Sequence, residues 1–423
     1  MTAAELTTIA GPSRRASYRT GLAAVGPAFV AAVAYVDPGN FATNFAGGGA
    51  YGYRLVWVVV AASLIGVLVQ SLSAKLGLAT GRSLPQLCRD RFPRPVTLGL
   101  WLQAEAVAMA TDLAEVLGGA IALHLLLGLP LPAGAGVTAV VAVGLTMVHA
   151  RRARRFELLV AGLLAVVLVG FAYQLVAAPP DPGGLARGLA PSFADTRSLV
   201  FAVGILGATV MPHAIYAHSA LTSGGRHPGA ADAPAGDATH RRRLLLRWQR
   251  IDIAVAMGVT GVLNVAMLAL GAAVFTGGDP AAGSLVGVHD GLSAAAGTGA
   301  ATAFALALLA SGFASSGVGT YAGQVIMDGF LRRRVPLVVR RAATLAPALA
   351  VIALGVEPTA ALVVSQVVLS FGIPFALVPL ILLTSRRDVM GPLANRRCTV
   401  LFAGAAAILV TALNGYLLVA LVA

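Results

Sequence analysis

The sequence predicts an all-α polytopic membrane protein of eleven transmembrane helices, arranged as a 5+5 inverted repeat whose first and sixth helices are broken. Three observations predict it. Of the 423 residues, 58% are hydrophobic and 11% charged, and the mean hydropathy of +0.84 exceeds what a water-soluble core needs, so the bilayer is the solvent. The basic residues gather in short clusters on one side of an alternating path of apolar runs. Two polar, helix-hostile heptads interrupt apolar runs that lie five spans apart.

Runs of about 20 apolar residues fall at 21–46, 54–78, 96–127, 131–149, 156–178, 198–222, 249–276, 297–328, 338–354, 359–384 and 398–421. Basic clusters at 14–19, 75–94, 151–155, 226–250, 332–341 and 386–397 alternate with loops holding only Arg54, Arg187 and Arg197. The positive-inside rule then sets the N-terminus in the cytoplasm and the C-terminus outside, and a single Lys among 30 basic residues, with abundant Ala and Gly, points to a GC-rich bacterial genome and so to a bacterial cytoplasmic membrane. Residues 1–20 form a polar cytoplasmic tail with no signal-peptide cleavage site after the first apolar run. Residues 21–178 and 198–384 form the two five-helix repeats, and 398–421 an additional helix 11. The polar insert over 223–247 reads as a mobile cytoplasmic loop. The formal charge of +13 comes from topology-setting clusters without aromatic interleaving, which excludes a nucleic-acid partner. Cys88 and Cys398 have no metal or disulfide spacing and read as reduced thiols.

The first break is Ala34-Tyr35-Val36-Asp37-Pro38-Gly39-Asn40. A carboxylate at a membrane-helix centre costs about 2.5–3.5 kcal/mol, and Pro38 and Gly39 both oppose a continuous helix. Such a segment persists where it lines a cavity, its carbonyls freed to bind a cation beside Asp37 and Asn40. A helix cap beside a turn is the plainer alternative. Caps belong at interfaces, whereas this break has apolar sequence on both sides. The second break, Gly207-Ala208-Thr209-Val210-Met211-Pro212-His213, repeats the plan. Alone, Pro212 would be a kink and Met211 packing. Paired with the first break, they point to a solute carrier with its site at the midplane.

Brought together, the breaks offer the Asp37 carboxylate, the Asn40 amide oxygen, the Met211 thioether and the carbonyls of Ala34 and Ala208. Mg²⁺ and Ca²⁺ gain nothing from sulfur, whereas Mn²⁺, Fe²⁺ and later metals accept it. Span three adds Gln103, Glu105, Thr111, Asp112 and Glu115, and its three acids share one helix face. An acidic stripe inside a membrane is a proton wire or a structural ion-pair network. His213 and His218 are candidate partners because imidazole titrates near neutrality. Arg340 and Arg341 are further candidates, with positive-inside anchoring as their alternative role.

At these residues the sequence resembles the natural resistance-associated macrophage protein (Nramp) family of divalent metal transporters. The resemblance runs from Gly26-Pro27-Ala28 to Asn414 and is carried by Asp37-Pro38-Gly39-Asn40 and Met211-Pro212-His213. Ala110-Thr111-Asp112-Leu113-Ala114-Glu115 and Gly319-Thr320-Tyr321-Ala322-Gly323-Gln324 support it. It implies a leucine-transporter-type fold and proton-linked import of Mn²⁺ or Fe²⁺, with no enzymatic activity, no cofactor and no obligatory protein partner. It carries a metal-ligand role to Asp37, Asn40, Met211, Ala34 and Ala208, and to Gln366, which joins the metal when the site closes. It carries proton handling to Asp37, Asp112, Glu115, His213, Arg340 and Arg341, with Glu105 and His218 in the neighbouring polar network and Gln70 at a gate. The sequence departs from the family in Ser311-Gly312-Phe313-Ala314-Ser315, where Phe313 replaces a commonly polar residue. Retention of Met211 separates it from relatives that carry Mg²⁺.

The expectation is therefore proton-coupled import of divalent transition metals by alternating access. The alternatives are a sodium- or proton-coupled carrier of an organic solute on the same scaffold and, more remotely, a membrane electron carrier binding haem through His213 and His218.

Overall fold

The computed structural model describes residues 26–151, 153–223, 235–275, 280–332 and 336–422, and these are helical almost throughout. The tail over 1–20 lies outside the described residues. The first half of the chain forms α1 (Pro27–Val33), a 3-10 turn (Ala34–Val36), α2 (Pro38–Tyr51), α3 (Val56–Thr80), α4 (Leu84–Arg91), α5 (Arg94–Leu127), α6 (Leu131–Arg151), α7 (Ala153–Ala177) and α8 (Pro182–Arg187). The second half forms α9 (Thr196–Thr209), α10 (Pro212–Ser223), α11 (Ala235–Val274), α12 (Leu285–Ala296), α13 (Thr298–Leu331), α14 (Leu337–Ala353), α15 (Pro358–Ser385), α16 (Arg387–Met390) and α17 (Arg397–Val422).

Among the described residues nine stretches are long and apolar enough to cross a membrane, one of them, Pro38–Thr80, containing both α2 and α3. Pro27–Val36 and Ala343–Ala353 are shorter apolar helices. In chain order these helices occupy the eleven expected runs. Both expected breaks are present, α1 parting from α2 and α9 from α10. Packing follows the inverted plan: α2 lies on α11 while α10 lies on α3, and α13 lies on α7 while α5 lies on α15. Exchanging each span for the one five places on converts one member of each pair into the other.

The broken helices are the innermost elements. The 196–223 stretch is the most enclosed of all, whereas α17 shows Leu401, Phe402, Ile408 and Val419 on its outer side, as a lipid-facing helix must. Phe41 and Phe45 of α2 pack tilted or edge-on against Phe171 of α7 and Phe304 of α13 at centroid distances of 5.3–6.3 Å, which holds α2 against these helices. On its other side Gly48 meets the backbone of α11 at Leu268, and Gly271 meets that of α2 at Phe45, so neither position has room for a Cβ.

One expectation is corrected. The insert over 223–247 is not simply a loop, because α11 starts at Ala235 and runs 40 residues, about 60 Å at 1.5 Å per residue. Hydropathy marks where lipid ends, not where a helix ends. The Ala-, Leu- and Arg-rich stretch before Gln249 keeps high helix propensity after it leaves the hydrocarbon. Residues 224–234 lie outside the described residues. The short α4, α8 and α12 also escape a window of about 20 apolar residues. Ser83 and Gln86 nevertheless form a reciprocal capping box at the start of α4, a signal readable from Ser83-Leu84-Pro85-Gln86.

Candidate metal site and polar pathway

The first break is made by one proline. Pro38 has no N–H, so the Ala34 carbonyl four residues back has no α-helical partner, and the helix resumes with Pro38 in its first position. Asp37 is extended there (φ −80°, ψ 169°), and its Oδ1 accepts from the Asn40 backbone N–H at 2.8 Å. The cap is thus present and takes one carboxylate oxygen, leaving the other over. Oδ1 caps α2, while Oδ2 is buried without a hydrogen-bond partner. Pro212 does the same at the second break, releasing the Ala208 carbonyl in the last turn of α9.

Asp37, Asn40, Met211, Ala34, Ala208 and Gln366 are all buried. Gln366 of α15 joins the breaks physically. Its carboxamide occupies the space a side chain at Gly39 would need, and its carbonyl presses on Gly207. Gly118 of α5 packs on the Pro38 ring, and Gly372 of α15 approaches Pro212, so α5 and α15 enclose both breaks. The Ser311 hydroxyl of α13 donates to the Val36 carbonyl. Phe313, two residues on, is half-buried.

The oxygens left over have a common chemistry. Asp37 Oδ2, Asn40 Oδ1, Gln366 Oε1 and Thr209 Oγ1 are buried at or beside the breaks with no hydrogen-bond partner. Unpaired buried acceptors cost about 1–3 kcal/mol each, so oxygens left over within the protein suit a hydrogen-bond donor or a cation. Among the described residues no group of three His, Cys, Asp or Glu gathers to hold a metal permanently. A single carboxylate with neutral oxygens and a thioether suits a transition-metal dication that must also leave.

Asn264, which sequence reasoning missed, explains why the Asn40 oxygen is free. The Asn264 amide donates to the Tyr35 carbonyl at 2.8 Å and the Thr260 carbonyl at 3.0 Å, which fixes its orientation. Its Oδ1 then accepts from Asn40 Nδ2 at 2.7 Å and from Asn44 Nδ2 at 2.8 Å. Both carboxamides are turned so that their nitrogens face Asn264 and their oxygens do not. An Asn interrupting the apolar run of span seven was the available signal.

The polar residues of α5 form a second group. Thr111 Oγ1 and His213 Nδ1 lie 3.2 Å apart, linking α5 to the second break. Asp112 and Glu115 are buried, and the Glu115 carboxylate rests on Gly319 of α13. Glu105 pairs with Arg340 of α14 at 3.4 Å, and the Arg340 guanidinium lies flat on Gly323. Gly319 and Gly323, one turn apart, thus clear a lane along α13 for a carboxylate and a guanidinium. Arg341 follows in α14, and its side chain lies outside the described residues.

His218 joins a different group. Its Nδ1 lies 2.6 Å from Gln70 Oε1 and its Nε2 lies 3.3 Å from Gln249 Nε2. Gln70 in turn donates to the Tyr35 hydroxyl, and Gln249 to Asp252 Oδ2 at 3.3 Å. Asp252 Oδ2 also accepts from the backbone N–H groups of Gly26 at 3.2 Å and Ala28 at 3.1 Å, capping α1. This chain fastens α1 to α3, α10 and α11. It leaves neither His218 nitrogen open to a haem iron.

Known proteins resemble this chain along most of its length. The family model described as natural resistance-associated macrophage protein-like matches residues 28–420. "Divalent metal cation transporter MntH" of Deinococcus radiodurans is 48% identical over 412 residues, covering 97% of this chain and 93% of that one. The protein of the same name from Mycobacterium tuberculosis is 50% identical over 404 residues, covering 95% and 92%. A crystal structure of Eremococcus coleocola manganese transporter superposes with a TM-score of 0.83 at 32% identity, covering 98% of this chain and 90% of that one. The nucleobase-cation-symport-1 family transporter Mhp1, at a TM-score of 0.58 and 14% identity over 84% of this chain and 77% of its own, shares the fold alone.

Proposed function

The chain belongs to the natural resistance-associated macrophage protein-like family, and from that premise we propose that it imports divalent transition-metal ions, Mn²⁺ or Fe²⁺, together with protons. The observation that carries this reading is the set of unpartnered buried oxygens on Asp37, Asn40 and Gln366 at two proline-made breaks, with Met211 beside them. Asp37 supplies the charge, the amides and released carbonyls replace waters of hydration, and the thioether favours softer dications over Ca²⁺ and Mg²⁺. An organic solute would need space that Gln366 takes up against Gly39 and Gly207.

Transport proceeds by alternating access in the cytoplasmic membrane, with the N-terminus inside and the C-terminus outside. The chain Tyr35, Gln70, His218, Gln249, Asp252 is the inner gate, because α1 must leave all these partners before the site opens to the cytoplasm. Protons take a separate route from Asp37 and His213 past Asp112 and Glu115 to Glu105 and the Arg340–Arg341 pair, since a metal and a proton on one narrow path repel each other. The test is Mn²⁺ uptake by proteoliposomes carrying a pH-sensitive dye. Asp37→Asn is expected to abolish saturable uptake in a folded, inserted protein. Wild-type affinity and rate in that variant would sink the site.

A further inference from the structure

The prolines at the two breaks have a third counterpart. Pro374 lies inside α15, and a proline there removes the N–H that would bond the carbonyl four residues back, that of Ser370. At membrane depth a stranded carbonyl is as costly as any buried polar orphan. This one has a partner on another helix. Asn414 of α17 donates from Nδ2 to the Ser370 carbonyl at 2.9 Å, and its Oδ1 accepts from the Ser370 hydroxyl at 2.8 Å. Both residues are buried, Asn414 being 4% exposed, so water and lipid headgroups do not compete. Gln366 stands one turn before Ser370 on the same face of α15. Between them the backbone of α15 presses on Gly207 of the second break, at the Gln366 carbonyl and the Ser370 N–H.

We propose that Asn414 is a positioning residue for a hinge in α15. Its carboxamide stands in for the backbone bond missing at Pro374, so the segment bearing Gln366 swings toward and away from the breaks about a fulcrum held by α17. A backbone ladder would lock this point. A side-chain bond to the same carbonyl satisfies it while letting the two halves of α15 change angle, because the amide on α17 keeps both its bonds as Ser370 turns. The proposal rests on the reading that Gln366 joins the metal when the site closes. It assigns a role to a helix that lies outside both repeats.

The experiment compares wild type, Asn414→Leu, Pro374→Ala and the double variant by Mn²⁺ binding in detergent, thermal midpoint, and Mn²⁺ KM and turnover in proteoliposomes. Asn414→Leu is expected to lower the midpoint and to cut turnover about tenfold, the fold-change a lost buried hydrogen bond commonly produces, with KM little changed. Pro374→Ala supplies an N–H to the Ser370 carbonyl and completes the backbone ladder there, so the double variant is expected to regain the midpoint but not the turnover. A double variant that regains turnover would show Asn414 merely filling a gap, and Asn414→Leu with wild-type turnover would equally overturn the hinge. Should Asn414→Leu fail to fold, Asn414→Asp takes its place, since it still accepts from the Ser370 hydroxyl but cannot donate to the carbonyl. Wild-type protein that binds no Mn²⁺ would instead overturn the site reading, and the hinge with it.

Discussion

Replacing Asn264 by leucine tests whether an outer side chain sets the metal site by aiming an inner one. Leucine nearly conserves volume and removes every polar contact, so Asn40 Nδ2, Asn44 Nδ2 and the Tyr35 carbonyl lose their partner, while the Thr260 carbonyl keeps its place in the helical ladder. The freed Asn40 carboxamide is then expected to turn its nitrogen toward an open acceptor at the break, Asp37 Oδ2, which would compete with the metal for both residues. Loss of one oriented neutral ligand corresponds to about 10–100-fold in metal affinity, or roughly 1.4–2.7 kcal/mol. Calorimetric titration of Mn²⁺ into purified protein reads this directly. Asn264→Asp is the control, because it still accepts from both carboxamides and gives up only the two carbonyl contacts. Its Mn²⁺ affinity is expected to be no weaker than wild type. An Asn264→Leu protein within about twofold of the wild-type Kd would refute the argument. An Asp variant as weak as the Leu variant would shift the cause to the grip on Tyr35.

Three further outcomes are expected. Met211→Ala keeps the oxygen ligands but loses the softness-selective one, so Mn²⁺ uptake becomes sensitive to a large excess of Ca²⁺ or Mg²⁺; equal resistance in both proteins would make Met211 packing. Asp112→Asn and Glu115→Gln are expected to slow proton influx more than Mn²⁺ binding, read with the internal dye, and normal acidification in both variants would reassign these acids to structure. Gly48→Ala is expected to destabilise by about 1–3 kcal/mol, because its Cβ would overlap the Leu268 carbonyl on α11; an unchanged thermal midpoint would mean that α2 and α11 separate freely.

What could be read from sequence was backbone chemistry. Pro38 and Pro212 announce which carbonyls are released, because the consequence of a missing N–H is counted along the chain and needs no fold. The same arithmetic applied to Pro374 indicates Ser370, yet nothing in the chain says that Asn414 will arrive there, since that depends on how α17 packs. Asn264 was ambiguous for a similar reason: an Asn in an apolar helix looks alike whether it glues helices or aims a ligand, and four partners in space decide which. Glu105, Asp112 and Glu115 could be placed on one face by period. Their lane along Gly319 and Gly323 appears only when α13 is laid against α5. Gln366 entered through family resemblance rather than through any local signal, because its neighbours at Gly39 and Gly207 are far away along the chain.

A site with one carboxylate has an electrical consequence. In the proposed cycle a dication held by an ionised Asp37 would carry a net charge of +1 inside the barrier, and the same carboxylate, once its proton had left by the separate route, would return with a net charge of −1. An inside-negative membrane potential favours moving the first inward and the second outward, so both halves of the cycle draw on the same field. At about 2.3 kcal/mol per elementary charge for each 100 mV, the voltage does work on the loaded step and on the empty return alike. A second acid at the breaks would make the loaded site neutral and place the whole electrical load on the return. Asp37 standing alone divides it evenly.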